Sequence, residues 1–384
     1  MQKKILVLAL AAAVSAPAFA DNSNVTIYGV ANVSYDITNT GSDTAGNPGF
    51  SSNKVSSNTS RLGLKGSEDL GDGLSAIWQI ESLIQIDNSG AGNGLATRNT
   101  FAGLSSNTAG TVLLGRHDTP YNLSTRKLDL FADGIADNRS ILGGGRSATA
   151  ATVTAGTATV GASFDGRQPD VVAYISPTLS GFTGAAAYVA GAEGQTAAGQ
   201  NKGNAWSAAG WYNVDALYAS LAYEVHNLGT AATGTIAAPV AALAGKKESA
   251  WKLGLSYKID ALTANFAYEK ISDDFGAAGA NSLGHHAYYL GGKYAFGNDA
   301  VKLAYSKAGS NATASTGARQ ISVGYDHSLS KRTTVYVQYT QLHNDANGDY
   351  QLSANGTGVP ALPAPTSTGG SKPSAFSLGL KHTF

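Results

Sequence analysis

The chain of 384 residues contains no cysteine. With no disulfide framework available, the small stapled scaffolds that depend on one are excluded. Charge is scarce as well, at 14% of the sequence against about a quarter in an average globular protein. The 26 basic and 26 acidic residues cancel, so nothing marks a nucleic-acid partner and none is expected. Beyond the first twenty residues no apolar run approaches the roughly 18 residues that a membrane-crossing helix needs. What fills the chain instead is glycine, 47 in all, with abundant Ser, Thr, Ala and Asn.

The opening residues follow the plan of a secretory leader. Lys3 and Lys4 give a positive start, Ile5 to Val14 an apolar middle, and Ala18-Phe19-Ala20 an A-x-A cleavage site before Asp21. The expected organisation is a signal peptide at 1–20 and a single β-barrel at 21–384. An exported chain without a spanning helix crosses a bilayer only as a closed barrel, because in lipid an open sheet edge leaves backbone N–H and C=O groups unpaired at several kcal/mol each.

Alternation with a period of two recurs along almost the whole remainder. In "WKLGLSYKI", Trp251, Leu253, Leu255, Tyr257 and Ile259 oppose Lys252, Gly254, Ser256 and Lys258. "VKLAYSK", "QISVGYDH" and "TVYVQYTQ" behave in the same way. Sixteen such segments are expected, at 25–37, 57–67, 73–86, 98–106, 110–117, 167–177, 181–190, 205–213, 215–227, 248–260, 262–272, 285–296, 299–308, 317–328, 331–343 and 374–384. The links between them alternate, short turns with long stretches rich in Gly, Ser, Thr, Ala and Asn at 38–56, 87–97, 118–166, 191–204, 228–247, 273–284, 309–316 and 344–373. A soluble sandwich has no reason to keep that order, whereas an outer-membrane barrel has short periplasmic turns and long external loops. The fold class is therefore all-β, a 16-stranded antiparallel transmembrane barrel. Tyr257, Tyr294, Phe296, Tyr325 and the terminal Phe384 fall near the ends of even strands, where they form an aromatic girdle at the inner interface.

Five strings carry a family resemblance: "VTIYGVANVSYD" (25–36), "SRLGLKGSEDLGDGLSAIWQIE" (60–81), "RNTFAGLSSNTAGTVLLGRHDTPY" (98–121), "VVAYISPTLSGFTGAAAY" (171–188) and the terminal "FSLGLKHTF". Together they resemble the trimeric general porins of Gram-negative outer membranes, in the branch common among β-proteobacteria. The resemblance implies sixteen strands per chain, a homotrimer, and a third loop folded inwards to narrow the channel. It also implies that the strand ending in Phe384 is the assembly signal read by the barrel assembly machinery. The other expected partners are outer-membrane lipid and the small hydrophilic solutes and ions that diffuse through. Ala185 and Ala187 are small enough to allow close barrel contact if their parity is the lipid side.

A sixteen-stranded barrel holds water along its axis, so passive diffusion follows and the longest loop, 118–166, is the candidate constriction. Leu123, Leu128, Leu130, Phe131 and Ile135 make it more apolar than a loop tip in water needs to be. It also carries Asp118, Asp129, Asp133 and Asp137. Facing them, Arg61 and Lys65 have the parity opposite to Leu62 and Leu64 and point to the lumen, since on the lipid side each would cost about 2–4 kcal/mol near the midplane. Arg98 and Arg116 join them, although Arg116 shares parity with Val112 and Leu114. Basic wall groups across from acidic loop groups set up a transverse field. Lys252, Lys258, Lys293 and Lys302 lean the lumen positive, against Glu81, Glu224 and Glu269, and a weak preference for anions is expected.

Other readings are an outer-membrane barrel hydrolase or an exported all-β adhesin. His285 and His286 point to opposite faces of one strand, and His117, His226, His327, His343 and His382 are scattered, so no metal set is expected. No G-x-S-x-G elbow or H-E-x-x-H pair is present, and neither a catalytic residue nor a cofactor is assigned.

Overall fold

The computed structural model describes residues 25–87, 94–143, 164–191, 203–229, 243–352 and 369–384. The leader expected at 1–20 lies outside them. Sixteen antiparallel strands form one sheet: β1 (Thr26–Asn39), β2 in two pieces (Ser51–Ser57 and Arg61–Gly71), β3 (Leu74–Leu83), β4 (Thr100–Ser106), β5 (Gly110–Asp118), β6 (Arg167–Ile175), β7 (Phe182–Ala190), β8 (Asn204–Val214), β9 (Leu217–Asn227), β10 (Lys247–Ile259), β11 (Leu262–Asp273), β12 (His286–Phe296), β13 (Asp299–Ala308), β14 (Ala318–Ser328), β15 (Thr333–Asn344) and β16 (Ser374–Thr383). Each pairs with its neighbour, and β16 returns to β1 in a register running from Val30↔Thr383 to Asn39↔Ser374. Gly29 and Phe384 exchange backbone hydrogen bonds of 3.0 and 3.1 Å. The closed ring leaves no sheet edge.

The strand expected at 57–67 is too short at both ends, since β2 begins at Ser51 and runs to Gly71. Both of its pieces pair with β1, the first opposite Val33–Asn39 and the second opposite Thr26–Val30, so residues 51–56 of the expected loop 38–56 are strand. "SSNKVSS" has too little apolar contrast to read as one, and the break between the pieces coincides with Thr59 at a φ of 56°, a backbone conformation uncommon outside glycine. Elsewhere the strand limits differ from the expected ones by at most three residues.

Side-chain parity sorts the wall into two faces. Leu253, Leu255, Leu290, Leu303, Val323 and Leu378 point outward and are 37–56% exposed, a penalty in water but none in hydrocarbon. Tyr257, Tyr294, Phe296, Tyr325 and Phe384 lie outward at the short-turn end. Tyr188–Trp206 and Tyr223–Trp251, with ring centroids 4.7 and 4.5 Å apart, lie toward the long-loop end. Ala185 and Ala187 are the reverse of the expected parity. Both are buried, and Ala186 takes the outward position between them. In an unbroken alanine run no difference in size reveals which parity faces lipid.

The third loop enters the barrel. After the cap Thr119 comes a short helix, α1 (Pro120–Thr125), then two 3-10 turns at Arg126–Leu128 and Asn138–Ser140. Leu128, Phe131, Ile135, Ile141 and Leu142 are buried against Ala267, Ala287, Ala304, Ala308 and Ala318 of the inner wall. Small wall residues make room for the loop. A Cβ on Gly254 would stand 2.8 Å from a Leu128 methyl, and one on Gly324 would stand 2.8 Å from the Phe131 ring.

Candidate functional site

Polar groups of the wall hold the backbone of the loop. Tyr218 Oη and Ser220 Oγ donate to Ser124 O at 2.6 and 2.8 Å, and Asn265 Nδ2 donates to Leu128 O at 2.7 Å. The Leu130 amide donates to Tyr289 Oη at 3.0 Å, and Gln320 Nε2 donates to Ala136 O at 3.2 Å. These anchors lie on β9, β11, β12 and β14, so the loop is fixed to that side of the barrel and its tip approaches β2 across the lumen.

Across that gap charges of opposite sign alternate from wall to loop. Arg98 Nε lies 2.5 Å from Glu81, and Glu81 lies 3.9 Å from Arg61 Nε. Arg61 Nη1 reaches Asp133 at 3.4 Å. Asp133 pairs with Arg126 at 2.9 Å, and Asp137 pairs with Arg126 at 2.6 Å and with Arg139 at 3.0 Å. Tyr28 Oη donates to Glu81 at 3.0 Å, and Lys65 Nζ lies 5.3 Å from the centre of the Tyr28 ring.

The four aspartates have different surroundings. Asp118 sits at the root of the loop and accepts from Asn99, Arg167 and Asn122 at 3.0, 3.0 and 3.2 Å. Asp133 bridges loop and wall; burial would raise it, but Arg126 and Arg61 outweigh that and hold its carboxyl below the usual range. Asp137 has no exposed side-chain surface. Burial opposes its charge too, yet the guanidinium groups of Arg126 and Arg139 hold it far below the usual range. Asp129 accepts from the Phe131 and Asn138 amides at 2.9 and 3.0 Å. Burial, with the Asp137 carboxylate beside it, pushes it up to about 7.

Arg116 stands apart. Its Nε donates to Thr97 O at 3.2 Å, and the register shifts between Gly115 and His117, where Gly115 has a φ of 142°. A bulge of this kind resets parity, and the only trace of it in the sequence is the glycine.

Sequence reasoning did not assign Arg126, Arg139, Arg167 or Glu81 to the site. It also read His226 and Lys252 without their partners. Lys252 Nζ lies 2.5 Å from Asp165 and 3.3 Å from Glu269. Glu269 accepts from Tyr121 Oη at 2.7 Å and from the Gly143 amide at 2.9 Å. His226 contacts Glu224 and Glu248, each at 2.8 Å, and the Phe164 ring stacks on it with centroids 4.4 Å apart. These clusters fix both limbs of the loop. The parity of Glu224, Lys252 and Glu269 was legible; their pairing was not.

Comparison with known proteins agrees with this geometry. The model of the Gram-negative porin family matches residues 7–347. The chain is 29% identical over 397 residues to outer membrane porin protein 32 of Delftia acidovorans, covering all of both. Over 136 residues, 35% of this chain and 30% of the other, it is 33% identical to the major outer membrane protein P.IA of Neisseria meningitidis. Among solved structures, a porin of Comamonas acidovorans described as anion-selective superposes with a TM-score of 0.73 at 27% identity, covering 94% of this chain and 100% of that one. A closed sixteen-stranded barrel, a loop seated inside it and a family match spanning most of the sequence lead to one conclusion: the chain belongs to the Gram-negative porin family and forms a diffusion channel in the outer membrane.

Proposed function

We propose that the channel passes small hydrophilic solutes with a weak preference for anions, set where the tip of the third loop meets the β2 wall. The carrying observation is the unequal treatment of the two signs. Asp137 and Asp129 have 0% and 1% of their side-chain surface exposed, whereas Arg126 and Arg61 keep 23% and 21% and Lys65 is exposed. Two of the loop's carboxylates are turned into the loop, Asp133 keeps 18% on the bridge to the wall, and Arg126, Arg61 and Lys65 stand toward the water. Arg61, Lys65, Arg98 and Arg116 on the wall, and Asp118, Asp129, Asp133 and Asp137 on the loop, are the residues to which we assign the constriction. The anion selectivity of the Comamonas porin supports the same sign here.

Planar-bilayer recording under a potassium chloride gradient tests the assignment. The reversal potential reports anion preference in the wild type, and Arg61→Glu shifts it toward cations while conduction persists. A change of two charge units about 7 Å from the ion path, in water, is worth roughly 1 kcal/mol, or about fivefold in the permeability ratio. Cation preference in the wild type overturns the proposal. Liposome swelling with sugars of graded size checks the pore against a barrel hydrolase, since a pore admits small sugars unchanged.

The protomers are proposed to form a homotrimer through the β4–β5 face. At 7 residues β4 is the shortest strand, below the roughly 9–11 residues that span a bilayer. The outward row Ala102, Leu104, Val112 and Leu114 carries no aromatic ring. A short aliphatic wall suits contact with protein. Removal of residues 1–20 on export, and reading of the strand ending in Phe384 by the barrel assembly machinery, belong to the same proposal.

A further inference from the structure

Beneath the tip of the third loop, toward the short turns, the lumen wall holds a recess of about 320 Å³, within the range of small-ligand sites, roughly 300–1,000 Å³. Two side-chain amides that line it have unused hydrogen-bonding capacity. Gln338 of β15 is 5% exposed and lies so close to the loop that a Cβ on Gly134 would stand 3.0 Å from its Nε2. Its side chain makes no hydrogen bond among the described residues. Asn32 of β1 is 4% exposed. Its Oδ1 accepts from Tyr336 Oη at 3.0 Å, and Tyr336 Oη accepts from Asn58 Nδ2 at 3.0 Å. That chain of bonds has one direction and leaves Asn32 Nδ2 as a donor without a partner among the described residues. Buried amides are ordinarily paired, so each calls for a polar partner from the recess.

The charge beside Asn32 is positive. Lys381 of β16 opposes Asn32 on one side and Thr334 on the other, and no acidic side chain pairs with it among the described residues. The carboxylates that border the recess are committed elsewhere. Asp326 pairs with Lys302 at 2.7 Å, and Asp129 is turned into the loop with 1% of its side-chain surface exposed.

Between the two polar ends lies an aromatic floor. A Cβ on Gly379 of β16 would collide with the Tyr336 ring, so the ring lies over bare backbone and offers its other face to the recess, with Leu130 and Phe131 of the loop tip as the remaining apolar lining. Four residues of β15, about 13 Å at the usual rise, separate the row of Asn32, Lys381 and Thr334 from Gln338, and Tyr336 stands midway. A benzene ring bearing a carboxylate and a para hydroxyl, with a hydrogen bond of about 2.9 Å at each end, fills that length.

We propose that the recess binds para-hydroxylated aromatic monocarboxylates, with the ring on Tyr336, the carboxylate on Asn32 Nδ2 and Lys381, and the hydroxyl on the Gln338 amide. The site rests on the anion-passing channel proposed above and adds a solute class to it. A solute that has crossed the constriction is held briefly at the exit, and weak binding of this kind is compatible with passage.

Single-channel recording of the full chain with millimolar 4-hydroxybenzoate, benzoate, acetate or uncharged 4-hydroxybenzamide tests it. In the wild type 4-hydroxybenzoate interrupts the current with a saturating dependence on concentration, benzoate needs about fivefold more for the loss of one neutral hydrogen bond, and acetate and the benzamide leave the current uninterrupted. Lys381→Gln raises the half-blocking concentration of both aromatic acids on the order of tenfold, as for a lost hydrogen bond to a charged group. Gln338→Leu brings 4-hydroxybenzoate to the level of benzoate and leaves benzoate unaltered. A variant that forms conducting pores is folded. Block by acetate at the same concentration, equal block by the two aromatic acids in the wild type, or unaltered block in both variants overturns the site. The reversal potential in potassium chloride alone, read on the same membranes, reports the anion preference separately. If that preference persists while 4-hydroxybenzoate leaves the current uninterrupted, the site fails and the channel reading stands.

Discussion

Asp129 is a carboxylate that changes charge near neutral pH, because the loop has buried it beside Asp137 and pushed it up to about 7. Its ionised form subtracts from the positive lean of the constriction. As pH falls from about 8 to about 6 the group takes up a proton, the loop loses a negative charge and anion preference rises. Reversal potentials across that range check the direction. Asp129→Asn holds the stronger preference throughout and flattens the profile; a slope unchanged in that variant assigns the effect to another group. The sequence supplied the positions of the loop aspartates but not their division into two that turn inward, one that bridges and one at the root. That division depends on Arg126, Arg139 and Arg61, and proximity between residues 72 positions apart, as for Arg61 and Asp133, leaves no local trace.

The third loop is the element on which channel behaviour turns, and its seat rests on wall side chains that donate to or accept from its backbone. Tyr289→Phe removes the acceptor of the Leu130 amide and leaves a partly buried N–H without its partner. The cost is about 1–3 kcal/mol, charged to the loop and not to the barrel. Open-channel current noise rises, while the temperature at which β-sheet circular dichroism is lost stays within a few degrees of the wild type. Tyr339→Phe, on the outward face of β15 and 40% exposed, is the control and leaves the noise unaltered. The apolar stretch from Leu123 to Ile135 made the inward fold legible as a loop too greasy for water. The route along the wall was not legible, since it depends on alanines and glycines that reveal their purpose only once Leu128 and Phe131 are seated against them.

For the whole molecule, period-two alternation and the ordering of short and long links determine a closed barrel almost completely, because each strand needs only its own neighbours and hydrocarbon on one face. The uncertain parts were those without contrast between faces, namely "SSNKVSS" and the alanine run around Ala186. How barrels meet is a further step, and the absence of cysteine makes it testable. A single cysteine introduced outward is the only thiol in the chain. Leu104 and Leu303 are both exposed in the isolated protomer, at 50% and 56%, yet one lies on the shortest strand and the other on β13 among the girdled strands. If three barrels meet along β4 and β5, Leu104→Cys in native trimers reacts with a membrane-soluble maleimide at least tenfold more slowly than Leu303→Cys, and boiling in detergent equalises the two. Equal labelling before boiling moves the protomer contact to another face, and the short wall of β4 then has to be matched by local thinning of the bilayer.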